Sequence, residues 1–170
     1  MRMFVPLGLS TLIASPALAV DVTLKVDVPQ LDVAEYHRPY VAIWIERPDA
    51  SVVGNLAVWY DVNNRKNEGE KWLKDMRQWW RRIGRELATP VDGISGATRP
   101  PGSHDVGIDA GKAPLGDLPA GEYKLVVEAA REVGGREVVQ ILFSWPPKEE
   151  ATLEAKGKSE LGNVVLQLKP

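Results

Sequence analysis

The chain has 170 residues, 44% hydrophobic and 26% charged, with 21 basic against 23 acidic side chains. This suffices for one domain with a real core, is short for two, and gives no electrostatic case for nucleic acid as a partner. With no cysteine and only His37 and His104, it excludes disulfide scaffolds, thiolate or iron–sulfur ligation, thiol nucleophiles and cages of several imidazoles.

Residues 1–19 read as a signal peptide. Arg2 precedes a mostly apolar run from Phe4 to Ala14, and Ala17-Leu18-Ala19 forms a small-x-small cleavage signal. That run, roughly eleven residues, is too short to span a bilayer as a helix. The expectation is a product cleaved after Ala19 and exported to the periplasm, with residues 20–170 forming one domain. A lipid anchor is excluded, because no cysteine can carry it.

Val20 to Val28 alternates apolar and polar residues, the period of a half-buried strand. Tyr40–Glu46 and Val52–Tyr60 are β-branched and aromatic, separated by Pro48-Asp49 turn chemistry. Glu122–Ala129 and Glu137–Trp145 pair as a hairpin across Gly134-Gly135. Thr152–Ala155 and Asn163–Leu168 form another across Gly157–Gly162. Seven or so short strands predict a mainly β fold, an immunoglobulin-like β-sandwich with one inserted amphipathic helix.

That helix is predicted over Glu70–Leu87. Trp72, Met76, Trp79, Trp80, Ile83 and Leu87 fall on one face, with Lys71, Lys74, Arg77, Arg81, Arg82 and Arg85 mostly elsewhere. An aromatic stripe at helical spacing implies packing over an open sheet face. The alternative is that Trp79 or Trp80 flanks a planar ligand at the sandwich edge. The basic residues read as a solvated face or as an anion contact.

After the helix comes the segment with chemical content, a predicted acceptor loop over 92–102. Asp92-Gly93-Ile94-Ser95-Gly96-Ala97-Thr98 matches the pattern Asp-x-x-(Ser/Thr)-Gly-Ala-Thr. Average residue frequencies give this pattern by chance in about 3 of 10,000 chains of this length. It resembles the site at which a separate, FAD-dependent flavin transferase attaches FMN to threonine in exported subunits of sodium-translocating quinone reductases. The resemblance implies that Thr98 carries FMN as a phosphoester, with Asp92, Ser95, Gly96 and Ala97 serving recognition by the transferase. A threonine hydroxyl is a poor nucleophile, so base and metal must come from that transferase. Gly93 permits a turn, and Pro100-Pro101-Gly102 stops helix formation beyond the threonine, which is expected on an exposed bend. The bland alternative is an ordinary turn, for which Asp92-Gly93 is a sufficient signal.

A second resemblance covers most of the chain. Lys71-Trp72-Leu73 to Trp79-Trp80, Ser95 to Gly102, Pro119-Ala120-Gly121-Glu122-Tyr123 and Glu128-Ala129-Ala130-Arg131-Glu132 occur in that order. Together they look like the predicted periplasmic family called domain of unknown function 2271. That family is associated with flavin transferases and with inner-membrane redox proteins of the PepSY type, which it implies as partners.

Arg99, beside the threonine, is a candidate to neutralise the FMN phosphate, or is a solvent-facing residue. His104 is a candidate flavin or phosphate contact, or a polar loop residue. Glu128, Arg131 and Glu132 interrupt an apolar run and form either an ion-pair cluster supporting the acceptor loop or an exposed hairpin. No Ser/His/Asp order stands out, so no catalytic or metal-binding residue is assigned. Two function classes remain: an exported FMN-carrying electron-transfer protein, or a cofactor-free sandwich serving as an accessory module in metal or haem uptake.

Overall fold

A computed structural model describes residues 20–170. The signal peptide expected over 1–19 lies outside the described residues. The strands are β1 (Asp21–Val28), β2 (Tyr40–Glu46), β3 (Val52–Tyr60), β4 (Ser95–Ala97), β5 (Gly102–Val106), β6 (Gly121–Ala130), β7 (Arg136–Trp145), β8 (Ala151–Lys156) and β9 (Asn163–Lys169). They form a four-stranded sheet ordered β5-β1-β9-β8 and a five-stranded sheet ordered β4-β3-β2-β6-β7. The fold is the expected β-sandwich, and the strands read from the sequence agree with it to within two residues at each end. Two short strands, β4 and β5, fall inside or next to the predicted acceptor loop and were not anticipated there.

The alternation of β1 and β9 places Leu24, Val26, Val164 and Leu166 on the inner face, against Ile43, Leu125 and Ile141 of the other sheet. The hydroxyl of Tyr123 donates to the Pro119 carbonyl at 2.7 Å, tying the start of β6 to the preceding corner. This is the tyrosine-corner device of immunoglobulin-like sandwiches.

β2 is buried on both faces, which explains its unbroken apolar run. Its outward-facing Ala42 and Trp44, with Val58 and Tyr60 of β3, lie beneath the helical segment between β3 and β4. That cover has a topological cause. β4 pairs parallel to β3, and a parallel pair needs a crossover connection of a dozen residues or more.

The crossover is not the single helix predicted over Glu70–Leu87. It consists of a 3-10 helix (Arg65–Asp75), one α-helix, α1 (Arg77–Arg82), and a further 3-10 turn (Gly84–Glu86). The first break, at Met76, follows from Glu128 on β6. Its fully buried carboxylate accepts the backbone N–H groups of Gln78 (3.0 Å) and Trp79 (2.7 Å), and α1 starts afresh on this cap. The second break precedes Gly84, where a Cβ would lie 2.4 Å from the Trp79 ring. At three residues per turn the buried stripe becomes Leu73, Met76 and Trp79, and Trp72 is rotated outward to 48% exposure. The basic residues of this segment are exposed as expected, with one exception in function. Arg82 reaches the buried Glu46, which also accepts Trp44 Nε1 at 2.8 Å and faces Lys124 Nζ at 3.5 Å.

Candidate functional site

The crossover delivers the chain into a tight turn. Val91 O accepts from Ser95 N at 2.8 Å, and Val91 N donates to Ser95 Oγ at 2.9 Å. Gly93 sits there at φ 72°, backbone that favours glycine. Ser95, Gly96 and Ala97 then run beside Val58, Trp59 and Tyr60 as an edge strand, bounded by Val58 N to Ile94 O (2.9 Å) and Thr98 N to Tyr60 O (3.2 Å). Most of the seven-residue motif is therefore bonded into a turn and a strand. Thr98 is half-buried where β4 ends, not on the exposed bend expected from the prolines. The Ser95 hydroxyl is engaged in the turn, whereas Thr98 lines a cleft.

Residues 99–101 cross from one sheet to the other. Arg99 lies over the Trp59 ring, its guanidinium carbon 5.3 Å from the ring centroid, a cation–π arrangement. His104 Nε2 donates to Pro100 O at 2.7 Å, and its ring meets Trp59 edge-on at 6.1 Å. The fold thus gathers Arg99 and His104 around Trp59, and neither lines the cleft beside Thr98. Asp92 is exposed and borders a separate depression with Gly93 and Ile94. A Cβ on Gly96 would make only an ordinary 3.5 Å contact with Trp59, so packing does not demand glycine there.

The cleft encloses about 390 Å³ at one end of the sandwich. The segment before β2 contributes Tyr36, His37 and Arg38, the 3-10 helix Trp72 and Asp75, and the turn after β6 Arg131 and Glu132. Tyr40 and Asp61 complete much of the wall. Tyr40 donates to Gly69 O at 3.0 Å, and burial pushes the hydroxyls of both Tyr36 and Tyr40 above the usual phenol value. His37 sits between Glu35 (2.8 Å) and Glu132 (3.6 Å).

Arg131 is the buried centre of this end. Its Nε and Nη2 donate to Glu160 at 2.8 and 3.1 Å, and Glu160 also accepts Gly135 N at 2.8 Å. The bonds to Glu160 hold the Arg131 guanidinium above its usual value, against the opposing effect of burial. Of the trio flagged in the sequence, Glu128 and Arg131 are thus internal anchors and not an exposed hairpin. Glu128 also pairs with Arg136 at 2.7 Å. Tyr36, Tyr40, Asp61, Trp72 and Asp75 carried no pattern that marks a site. A charge interrupting an apolar strand was the one usable signal, and it pointed to Arg131.

A family model described as predicted periplasmic protein (DUF2271) matches residues 21–163, nearly the whole of the described domain. The chain belongs to this family. Membership places it in the periplasm, and no helix among the described residues is long and apolar enough to cross a membrane. Searches of curated proteins and of solved structures returned no match.

Proposed function

We propose that this protein is an FMN-carrying electron-transfer protein of the periplasm, with the flavin attached to Thr98 by a separate FAD-dependent transferase. The reading is carried by one observation: the threonine of a complete Asp-x-x-Ser-Gly-Ala-Thr motif lines a cleft large enough for a planar heterocycle. Tyr36, Tyr40 and Trp72 in that wall suit such a ring. In the attachment step the Thr98 oxygen bonds to the flavin-side phosphorus of FAD. The pyrophosphate P–O bond breaks, AMP leaves, and the hydroxyl proton passes to a base of the transferase. Bound FMN supplies the redox chemistry. The chain's own residues position the acceptor: the Val91–Ser95 turn and the β3–β4 pairing hold Thr98 at the cleft. Exposed Asp92 and the sterically unforced Gly96 are the recognition elements for the transferase. The inner-membrane partner is a PepSY-type redox protein.

Co-expression with an active transferase tests this. The product should gain the mass of one FMN less one water, mapped to the peptide containing Thr98. Thr98→Ala should abolish the gain while folding stability stays within about ±0.5 kcal/mol. Thr98→Ser should be labelled in part. Asp92→Ala should lower incorporation. A wild type that never gains this mass overturns the reading and leaves the cofactor-free accessory module.

A further inference from the structure

The helical crossover concentrates positive charge on an acidic protein. Residues 65–86 hold eight of the chain's 21 basic side chains and four acidic ones, which leaves the remainder of the chain net acidic. Three residues per turn sort the side chains of the 3-10 helix into three rows. Leu73 and Met76 continue into Trp79 as the buried row. Trp72 and Asp75 line the Thr98 cleft. Lys71, Lys74 and Arg77 form the remaining row. Arg81 extends it by one α-helical turn, its Nε donating to the Arg77 carbonyl at 3.2 Å, and Arg85 follows in the last 3-10 turn. Lys71 pairs with Glu68 (3.4 Å) and Arg82 with Glu46. Lys74, Arg77, Arg81 and Arg85 are exposed and have no ion-pair partner among the described residues. Like charges three and four residues apart repel, so the fold itself does not call for this row.

We propose that Lys74, Arg77, Arg81 and Arg85 dock the protein on an anionic phospholipid surface, the membrane face that bounds the periplasm. Charge complementarity carries the inference. On a chain of net charge −2, attraction to an anionic surface requires segregated cations, and the crossover supplies them on one element. The chemistry of the row favours lipid over an acidic protein. A protein interface needs a buried aromatic or apolar centre, whereas a headgroup layer needs only cations near it. The apolar side chains of this segment, Leu73, Met76 and Trp79, already lie in the core, and Trp72 lines the cleft. The inference does not depend on the flavin. Where Thr98 carries one, the docked row sets the neighbouring cleft close to the membrane that holds the redox partner.

Co-sedimentation of the exported protein with vesicles tests this. The vesicles are phosphatidylcholine alone, or phosphatidylcholine with about one-third phosphatidylglycerol. Wild type should partition onto the phosphatidylglycerol vesicles at low salt and not onto phosphatidylcholine. Binding should fall as salt is raised, since exposed charges are screened beyond about 8 Å at physiological ionic strength. Lys74→Gln, Arg77→Gln and Arg81→Gln should each lower the partition coefficient about fivefold, and the three together about a hundredfold. The control carries Lys148→Gln, Lys156→Gln and Lys158→Gln, the same change in net charge at exposed positions around β8. It should stay within about twofold of wild type, as should Thr98→Ala, whose site is not in the row. Equal urea midpoints of the two triple variants show that both are folded. A wild type that does not partition onto the phosphatidylglycerol vesicles overturns the proposal and leaves the row to an acidic protein or to solvent. Equal losses in the two triple variants also overturn it, because net charge and not this row would then govern binding. Vesicle binding of the expected pattern alongside failed FMN attachment overturns only the Thr98 reading.

Discussion

The two ends of the β6–β7 hairpin solve the same problem with different chemistry. At the open end, where Gly121 pairs with Trp145, an apolar groove of about 850 Å³ is lined by Phe143, Trp145, Pro146 and Leu168 among others. At the turn end, where Ala130 pairs with Arg136, carboxylates hold the chain instead. Glu137 of β7 accepts the backbone N–H groups of Lys158 (2.5 Å), Ser159 (3.1 Å) and Leu161 (2.9 Å) in the β8–β9 turn. Glu160 of that same turn reaches back to Gly135 and Arg131. The two sheets thus clasp each other reciprocally. Apolar contact is non-directional and tolerates repacking, whereas a carboxylate bonded to several N–H groups fixes position. The directional end is the one that carries the cleft and Thr98.

The comparison breaks most severely at Glu160. Glu160→Ala leaves Arg131 buried without its counter-charge and should cost about 3–5 kcal/mol in urea unfolding. Replacing both partners, Arg131→Met with Glu160→Leu, should recover most of that loss. If the single and double variants are equally unstable, the clasp is not what holds this end. At the open end, Phe143→Leu keeps an apolar shape and should cost about 1.5 kcal/mol or less. A cost as large as that of Glu160→Ala would erase the distinction between the ends.

Acid sharpens the contrast. Burial tends to raise the Glu137 carboxyl, but the N–H groups of Lys158, Leu161 and Ser159 outweigh it and hold the group below its ordinary value of 4.5. Its contribution to stability is complete above that ordinary value and is lost as pH falls through the lowered folded-state value. Urea midpoints measured at about pH 6 and about pH 3 should therefore differ more in wild type than in Glu137→Gln. Equal differences would mean that the clasp does not titrate. Smallest of all, Leu142→Lys at a 67% exposed position by the groove should change stability by no more than about 0.5 kcal/mol.

Strand positions were legible because alternation and β-branched runs report a local, two-residue period. β4 was not, since Ser95-Gly96-Ala97 is a strand only because β3 offers a parallel edge. The helical crossover was legible as a cover but not in its register. A period of 3.6 applied to Glu70–Leu87 selects Trp72, while the capping of Gln78 and Trp79 by Glu128, some fifty residues away, resets the segment and buries Leu73 instead.

The sequence by itself determined the mainly β class, the strand order along the chain, the family and the seven-residue motif, because each of these is written in short-range pattern. The tertiary structure alone decided which hydroxyl of that motif meets a cleft and what faces it. Ser95 and Thr98 are three residues apart and chemically alike. One closes a turn on Val91, while the other lines a cleft to which Trp72 and Arg131 also contribute. That outcome depends on a parallel pairing, a distant cap and a buried ion pair joining residues from opposite sheets. Long-range contacts of this kind leave no periodic trace in the chain that makes them.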